Sequence, residues 1–288
     1  MPLLSPEFIA RLEQIEYSSR RLLAGRFKGE RLTKRKGTSI EFADHRHYVV
    51  GDDLRFLDWN LYARLDRLFI KLYLEEEDLS VHLLVDGSVS MNFGTPAKLH
   101  FARQLAAALG FIGLSHFDRV SVWQIGGTGL NRIRGRSQVP RLLDFLERLT
   151  PLAGTSLRQG VRDFVARQPQ RGIVVLISDF LDKGGYEEAL RLLVAKRMEV
   201  TAVHVLAPDE IDPQLSGDVK LVDAEDGEVA EITATPWLLR RYRQTLEGFC
   251  AALRQFCVRR NILYSFISSA TPVESLILNQ LRGRGLLR

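Results

Sequence analysis

Along this chain the spacing of apolar residues changes period several times, and each change marks an element. Short apolar runs fall at 81–85 (broken only by His82), 120–125, 173–177, 200–206 and 262–267. Runs of this length bounded by turn residues predict strands buried on both faces, as in a parallel sheet. Between them the apolar residues fall three and four apart. Phe101, Leu105, Ala108, Leu109 and Ile112 make one helical face, opened by Thr95 as N-cap and Pro96 at the first helical position. The same spacing predicts helices over 139–149, 157–168, 186–197 and 272–281, and one starting at Thr235-Pro236 that lines up Tyr242, Leu246, Phe249, Leu253 and Phe256. Residues 220–232 read as a hairpin turning at Asp226-Gly227. Alternating strands and helices predict an α/β fold, a doubly wound and mostly parallel sheet flanked by helices, over 79–288 with a hairpin insertion near 218–234.

Residues 1–78 read as an N-terminal extension. Helical spacing over 6–23 follows Ser5 as N-cap, and 68–74 alternates like a strand that leads into the sheet or edges it. Between them Arg20, Arg21, Arg26, Lys28, Arg31, Lys34, Arg35 and Lys36 crowd together against Glu30 alone. That concentrates a modest net charge of +5 and makes an anion or nucleic acid an alternative partner, though nucleic acid is not the expected one.

With 288 residues, 45% hydrophobic, the chain can bury a sizeable core. No apolar run approaches the roughly 20 residues of a membrane helix, and the longest already contains Gly110 and Gly113. The N-terminus lacks the order of a signal peptide, so the expectation is a cytoplasmic protein with no membrane segment. Cys250 and Cys257, about 10 Å apart along one helix, read as two reduced thiols.

Chemistry concentrates where the first buried run stops. Asp86, Ser88 and Ser90 follow it at alternate positions in a turn. Carboxylate and hydroxyl groups at the carboxyl end of such a strand lie where open α/β sheets bind ligands. Oxygen-only donors suit a hard cation such as Mg²⁺, with Mn²⁺ or Ca²⁺ as alternatives. This Asp-x-Ser-x-Ser pattern resembles the metal-ion-dependent adhesion site of von Willebrand factor A domains. Gly154-Thr155-Ser156 resembles the loop that supplies a third hydroxyl there, and Asp179, ending the run 173–177, matches the second acid. The resemblance implies that Ser88 and Ser90 contact the ion directly, Thr155 directly or through water, and Asp86 and Asp179 through waters. The ion then keeps an open position for an outside carboxylate. Asp182 reads as a helix-entry residue.

A second resemblance covers nearly the whole chain. Arg46-x-Tyr48-x-x-Gly51-Asp52-Asp53-x-Arg55-x-x-Asp58-Trp59-x-x-x-Ala63-Arg64, then Glu75-Glu76-Glu77 and the Asp86 motif, is similar to the bacterial "domain of unknown function" family 58. Those proteins are von Willebrand A-like and associated with MoxR-type AAA+ ATPases. The resemblance implies a non-enzymatic adaptor or co-chaperone whose partners are such an ATPase and an acidic protein ligand. It assigns no role to Arg46, Asp58, Trp59 or Arg64, which read as an ion-pair network clasping the N-terminal segment to the sheet. A metal-dependent hydrolase is the alternative, weakened by Ser88 standing where a second acid would be needed. No Gly-x-x-x-x-Gly-Lys-[Ser/Thr] loop and no Gly-x-Ser-x-Gly elbow occurs. His45 and His47 read as surface residues rather than metal ligands.

Overall fold

The computed structural model of the protein describes residues 3–18, 41–74, 79–167 and 170–288. The basic stretch 20–36, the far end of the expected first helix and Glu75 to Glu77 lie outside the described residues. The chain forms two units, residues 1–18 with 79–288, and residues 19–78.

The larger unit is a mixed α/β body built on a six-stranded sheet. In chain order its strands are β3 (Ser80–Val85), β4 (Arg119–Gln124), β5 (Gly129–Ile133), β6 (Ile173–Ser178), β7 (Glu199–Leu206) and β10 (Leu263–Ser268), lying in the order β10-β7-β6-β3-β4-β5. All neighbours run parallel except β4 and β5. The continuous apolar runs follow from this, because helices cover both faces. Val81, Leu83 and Val85 of β3 point into one core with helix α3 (Lys98–Ser115) and helix α4 (Val139–Glu147). Leu84 points into a second core with α5 (Leu157–Arg167), α6 (Glu187–Ala195) and the long α8 (Pro236–Val258). Strand β6 divides in the same way, Val175 and Ile177 to one side and Val174 and Leu176 to the other.

Several elements differ from the expectation. Helix α3 begins at Lys98 with Ala97 as its cap, not at Thr95-Pro96. The Pro96 carbonyl accepts a hydrogen bond from the Ser269 hydroxyl at 2.7 Å, and Ala97 stays extended (φ −60°, ψ 140°), so the helix starts only after it. Helix α1 covers only Pro6–Leu12, capped by Ser5 as expected. Beyond it Ile15 and Tyr17 are buried in the first core, Tyr17 bridges to Leu287, and its phenol donates to the Leu109 carbonyl at 2.9 Å. Burial of that segment overrides its helical spacing. A short helix α7 (Pro208–Ile211) follows β7. The hairpin is present as β8 (Gly217–Val222) and β9 (Val229–Ala234), with Asp226 and Gly227 in its turn. The closing segment is a single helical turn (Val273–Ser275) running into wider π-type turns over Leu276–Leu281.

In the smaller unit β1 (Glu41–His47) pairs antiparallel with β2 (Phe69–Leu74) as a separate two-stranded sheet. Strand β2 is therefore not an edge of the large sheet. Between the two strands lies α2 (Trp59–Leu65), capped by Asp58.

Candidate functional site

The parallel strands bring three loops to one rim at their carboxyl ends. Asp86 ends β3. Its Oδ1 accepts the Ser88 backbone N–H at 3.0 Å and its Oδ2 accepts the Ser178 hydroxyl at the end of β6. The Asp86 N–H donates to the Ile177 carbonyl at 2.9 Å, so both its backbone and its side chain are fixed to the neighbouring strand. Ser88 and Ser90 then turn their hydroxyls together, with Oγ atoms 3.0 Å apart. Among the described residues no cluster of three or more His, Cys, Asp or Glu side chains could hold a metal. A cation at this rim would need the hydroxyls.

The loop carrying Thr155 is joined to the first by the Leu152 N–H, which donates to the Gly87 carbonyl at 2.7 Å, and by a parallel bridge between Ser88 and Leu152. Two glycines allow this approach. A side chain on Gly87 would collide with the Gln124 amide, which itself donates to the Thr150 carbonyl. Gly126, at φ +77°, leaves room where a Cβ would lie 2.5 Å from Thr155 Cγ2. Thr155 thus packs on Gly126 just past the end of β4, and its hydroxyl bonds neither serine. Asp182 does not start the helix that follows it. It caps α5 from across the rim, accepting the Leu157 N–H at 2.6 Å.

Asp179 is the residue whose surroundings differ most from a free metal acid. Its Oδ2 lies 2.7 Å from the ammonium of Lys98, which is fully buried and also bonds Glu210. Its Oδ1 caps the Leu181 N–H at 3.1 Å. Lys98 occupies the first turn of α3, where the helix dipole disfavours a cation, and the two carboxylates account for its position. Burial, followed by the charge of Asp179, pushes Asp86 up to about 6. Phe180, next in sequence and buried, takes a left-handed φ of 57°. That is a strained conformation for an aromatic residue and marks the rim as overdetermined by its surroundings. Nearby, His204 hydrogen-bonds the Tyr264 hydroxyl at 2.9 Å, and burial lowers it to about 4.

Lys98, Glu210, Ser178 as the clamp on Asp86, and Glu225, whose carboxylate reaches the Ser90 N–H at 2.8 Å, were not picked out by sequence reasoning. Only Lys98 left a signal, a lone cation ahead of an apolar helical face.

The signature residues belong to the smaller unit. Arg46 forms a two-pronged pair with Asp52 at 2.8 and 2.6 Å, and Asp52 also takes the Val49 N–H, which holds the turn through Gly51 at φ +107°. Asp53 pairs with Arg55 and takes its N–H. Asp58 accepts from the Asn60 and Leu61 N–H groups at the start of α2 and pairs with His45 at 2.9 Å and Lys71 at 3.4 Å. The His45 hydrogen bond leads the causes that hold Asp58 down at about 2. His45 is therefore a hydrogen-bond partner of Asp58, while His47 stacks on Phe69 at 4.5 Å. Tyr48 donates its backbone N–H to the Leu68 carbonyl, and Arg64 lies in the last turn of α2. Trp59 is 64% exposed, with Tyr62 edge-on to it, and so is no part of a buried network. The network that does exist knits β1, the turn and α2 together within this unit.

These features define an α/β module that gathers acids and hydroxyls at the carboxyl rim of a mostly parallel sheet. The chain belongs to the family described as "Protein of unknown function DUF58", which matches residues 44–247. It is 31% identical over 241 residues to the "Uncharacterized protein Rv1480" of Mycobacterium tuberculosis and to the "Uncharacterized protein Mb1516" of Mycobacterium bovis, covering 81% of this chain and 76% of each of them. Among solved structures it is similar to the "conserved hypothetical protein BatB" of Bacteroides thetaiotaomicron (19% identity, TM-score 0.43, covering 72% of this chain and 98% of that one). It is also similar to an "aerotolerance-related membrane protein" of Bacteroides fragilis (18%, 0.43, covering 71% and 99%). That last protein is described as a membrane protein, and the cytoplasmic placement expected from the sequence is withdrawn. The described residues contain no helix long and apolar enough to cross a membrane, and that fact alone does not assign a compartment.

Proposed function

We propose that this chain is a von Willebrand A-like docking module in which a divalent cation at the rim takes a carboxylate from a partner protein, and that it acts as a binding protein rather than an enzyme. The observation that carries this reading is the hydroxyl pair of Ser88 and Ser90, 3.0 Å apart and held at the end of β3 by an Asp86 that is itself clamped. The donor set fits a hard cation. Asp86, Ser88 and Ser90 all offer oxygen, and the buried Asp86, pushed up to about 6, is the kind of carboxylate a cation would relieve.

Ser88 and Ser90 would hold the ion directly, Thr155 would complete the hydroxyls, and Asp86 would orient the serine loop and balance charge. The bound ion supplies an electrophilic position that hydroxyl ligands leave largely unneutralised. Asp179 has a smaller part than the family resemblance implies, because Lys98 already balances it. As partner we propose an acidic face of a MoxR-type AAA+ ATPase.

The test is calorimetric titration of Mg²⁺ and Mn²⁺ into the full chain and into Asp86→Asn. Binding in the first and at least a tenfold loss in the second is the expected result, and equal heats would remove the site. Chelator-sensitive capture of the purified ATPase then tests the partner.

A further inference from the structure

The hairpin β8–β9 is largely exposed along both strands, yet its turn is held at the rim. Glu225, in that turn, points its Oε1 at the Ser90 backbone N–H, 2.8 Å away. Its Oε2 is buried with no hydrogen-bond partner, the only carboxylate oxygen in that condition among the buried side-chain atoms of the described residues. The turn is built to present this side chain. Asp223 Oδ1 accepts the Glu225 N–H at 2.8 Å, and the Asp223 N–H donates to the Glu228 carbonyl at 2.8 Å. Lys183, next to the Asp182 that caps α5, pairs with Asp226, with Asp223 at 3.2 Å and with Glu228 at 3.3 Å. These carboxylates, Asp226 foremost, raise the Lys183 pKa. Two of the loops that form the rim therefore grip the hairpin's turn, one through Glu225 and the other through Asp223, Asp226 and Glu228.

A carboxylate oxygen taken out of water calls for a proton or a cation. Here Glu225 is held on the N–H of Ser90, whose hydroxyl is paired with that of Ser88. We infer that Glu225 is the cation's carboxylate ligand supplied in cis, and that the hairpin fills the position an outside acid would take. This rests on the docking reading above. A partner's carboxylate then displaces Glu225, and the hairpin is the competing internal ligand that sets how strongly a partner must bind.

The experiment uses the full chain as wild type, Glu225→Gln and Asp86→Asn. Glu225→Gln keeps an acceptor for the Ser90 N–H and removes only the charge. Mn²⁺ affinity is measured by calorimetry, and amide exchange over residues 223–229 is followed with and without Mg²⁺. The expected result is at least a tenfold weaker Mn²⁺ affinity in Glu225→Gln, with Mg²⁺ slowing exchange of the turn in wild type and not in that variant. Equal Mn²⁺ affinity in wild type and Glu225→Gln, with binding lost in Asp86→Asn, would reduce Glu225 to a cap and leave the docking site standing. No Mn²⁺ binding by wild type would remove both readings.

Discussion

Lys98→Met tests the electrostatics of the rim directly. The substitution keeps the length and apolar stem of the side chain and removes its ammonium. Asp179 is then left 2% exposed with no counter-charge. At 2.7 Å and an effective dielectric near 20, the lost attraction is about 6 kcal/mol. Part of that is offset because the ammonium no longer has to be desolvated. Breaking a buried pair from one side typically costs about 3–5 kcal/mol. For a unit of this size that is a fall of roughly 10 °C in Tm. The double variant Lys98→Met/Asp179→Asn should recover part of the loss, since the Asn side-chain oxygen can still accept the Leu181 N–H and only Glu210, which keeps the Ala207 N–H, loses its cation. Urea unfolding followed by circular dichroism on wild type, both single variants and the double gives the coupling energy. A Lys98→Met protein within about 1 kcal/mol of wild type, or a double variant as unstable as the sum of its singles, would refute the reasoning.

Gly126→Ala should destabilise by about 1–3 kcal/mol, because it forces a left-handed φ on a residue with a Cβ that meets Thr155, and thermal melting reads it. Burial holds His82, edge-on to Phe164, down at about 4 against 6.5 when unfolded. The unfolded chain therefore takes up the proton first. The contribution is complete above pH 6.5 and is lost as pH falls from 6.5 toward 4, about 2 kcal/mol of it by pH 5. Asp86, raised instead of lowered, acts in the opposite direction over part of that range, so the measurement is the difference between wild type and His82→Phe at pH 7 and pH 5. A constant difference would exclude the effect. Cys257, fully buried and pushed up to about 12 by burial, should resist alkylation in the native protein while Cys250 reacts first, as mass spectrometry of iodoacetamide-treated protein would report.

The alternation of buried runs and helical faces made the large sheet legible from sequence, because strands covered on both sides must be apolar at every position. Asp86, Ser88 and Ser90 were legible for a related reason: polar residues placed immediately after such a run have to emerge at the rim. Strand β1 was not, since a short strand rich in His, Arg and Asp carries no apolar alternation and is made by its partner β2. The start of α3 was misplaced because Thr95-Pro96 satisfies every local rule for a helix N-terminus, while Ser269, far along the chain, takes the Pro96 carbonyl. Lys98 and Glu225 were invisible for one shared cause. Their meaning lies in partners 81 and 135 positions away, and a single sequence records no such distances.

The pairing of residues 16–18 with residues 286–288 has a consequence for how this body is made. Glu16 and Arg288 exchange backbone hydrogen bonds at 3.2 and 2.9 Å, and the Ser18 N–H donates to the Leu286 carbonyl at 2.9 Å. During synthesis residues 16–18 lack these backbone partners until the stretch at 286 has been translated. Closure of this seam is set by chain length and not by local preference. A nascent chain arrested before that point should keep residues 16–18 open to protease after the central strands have become resistant.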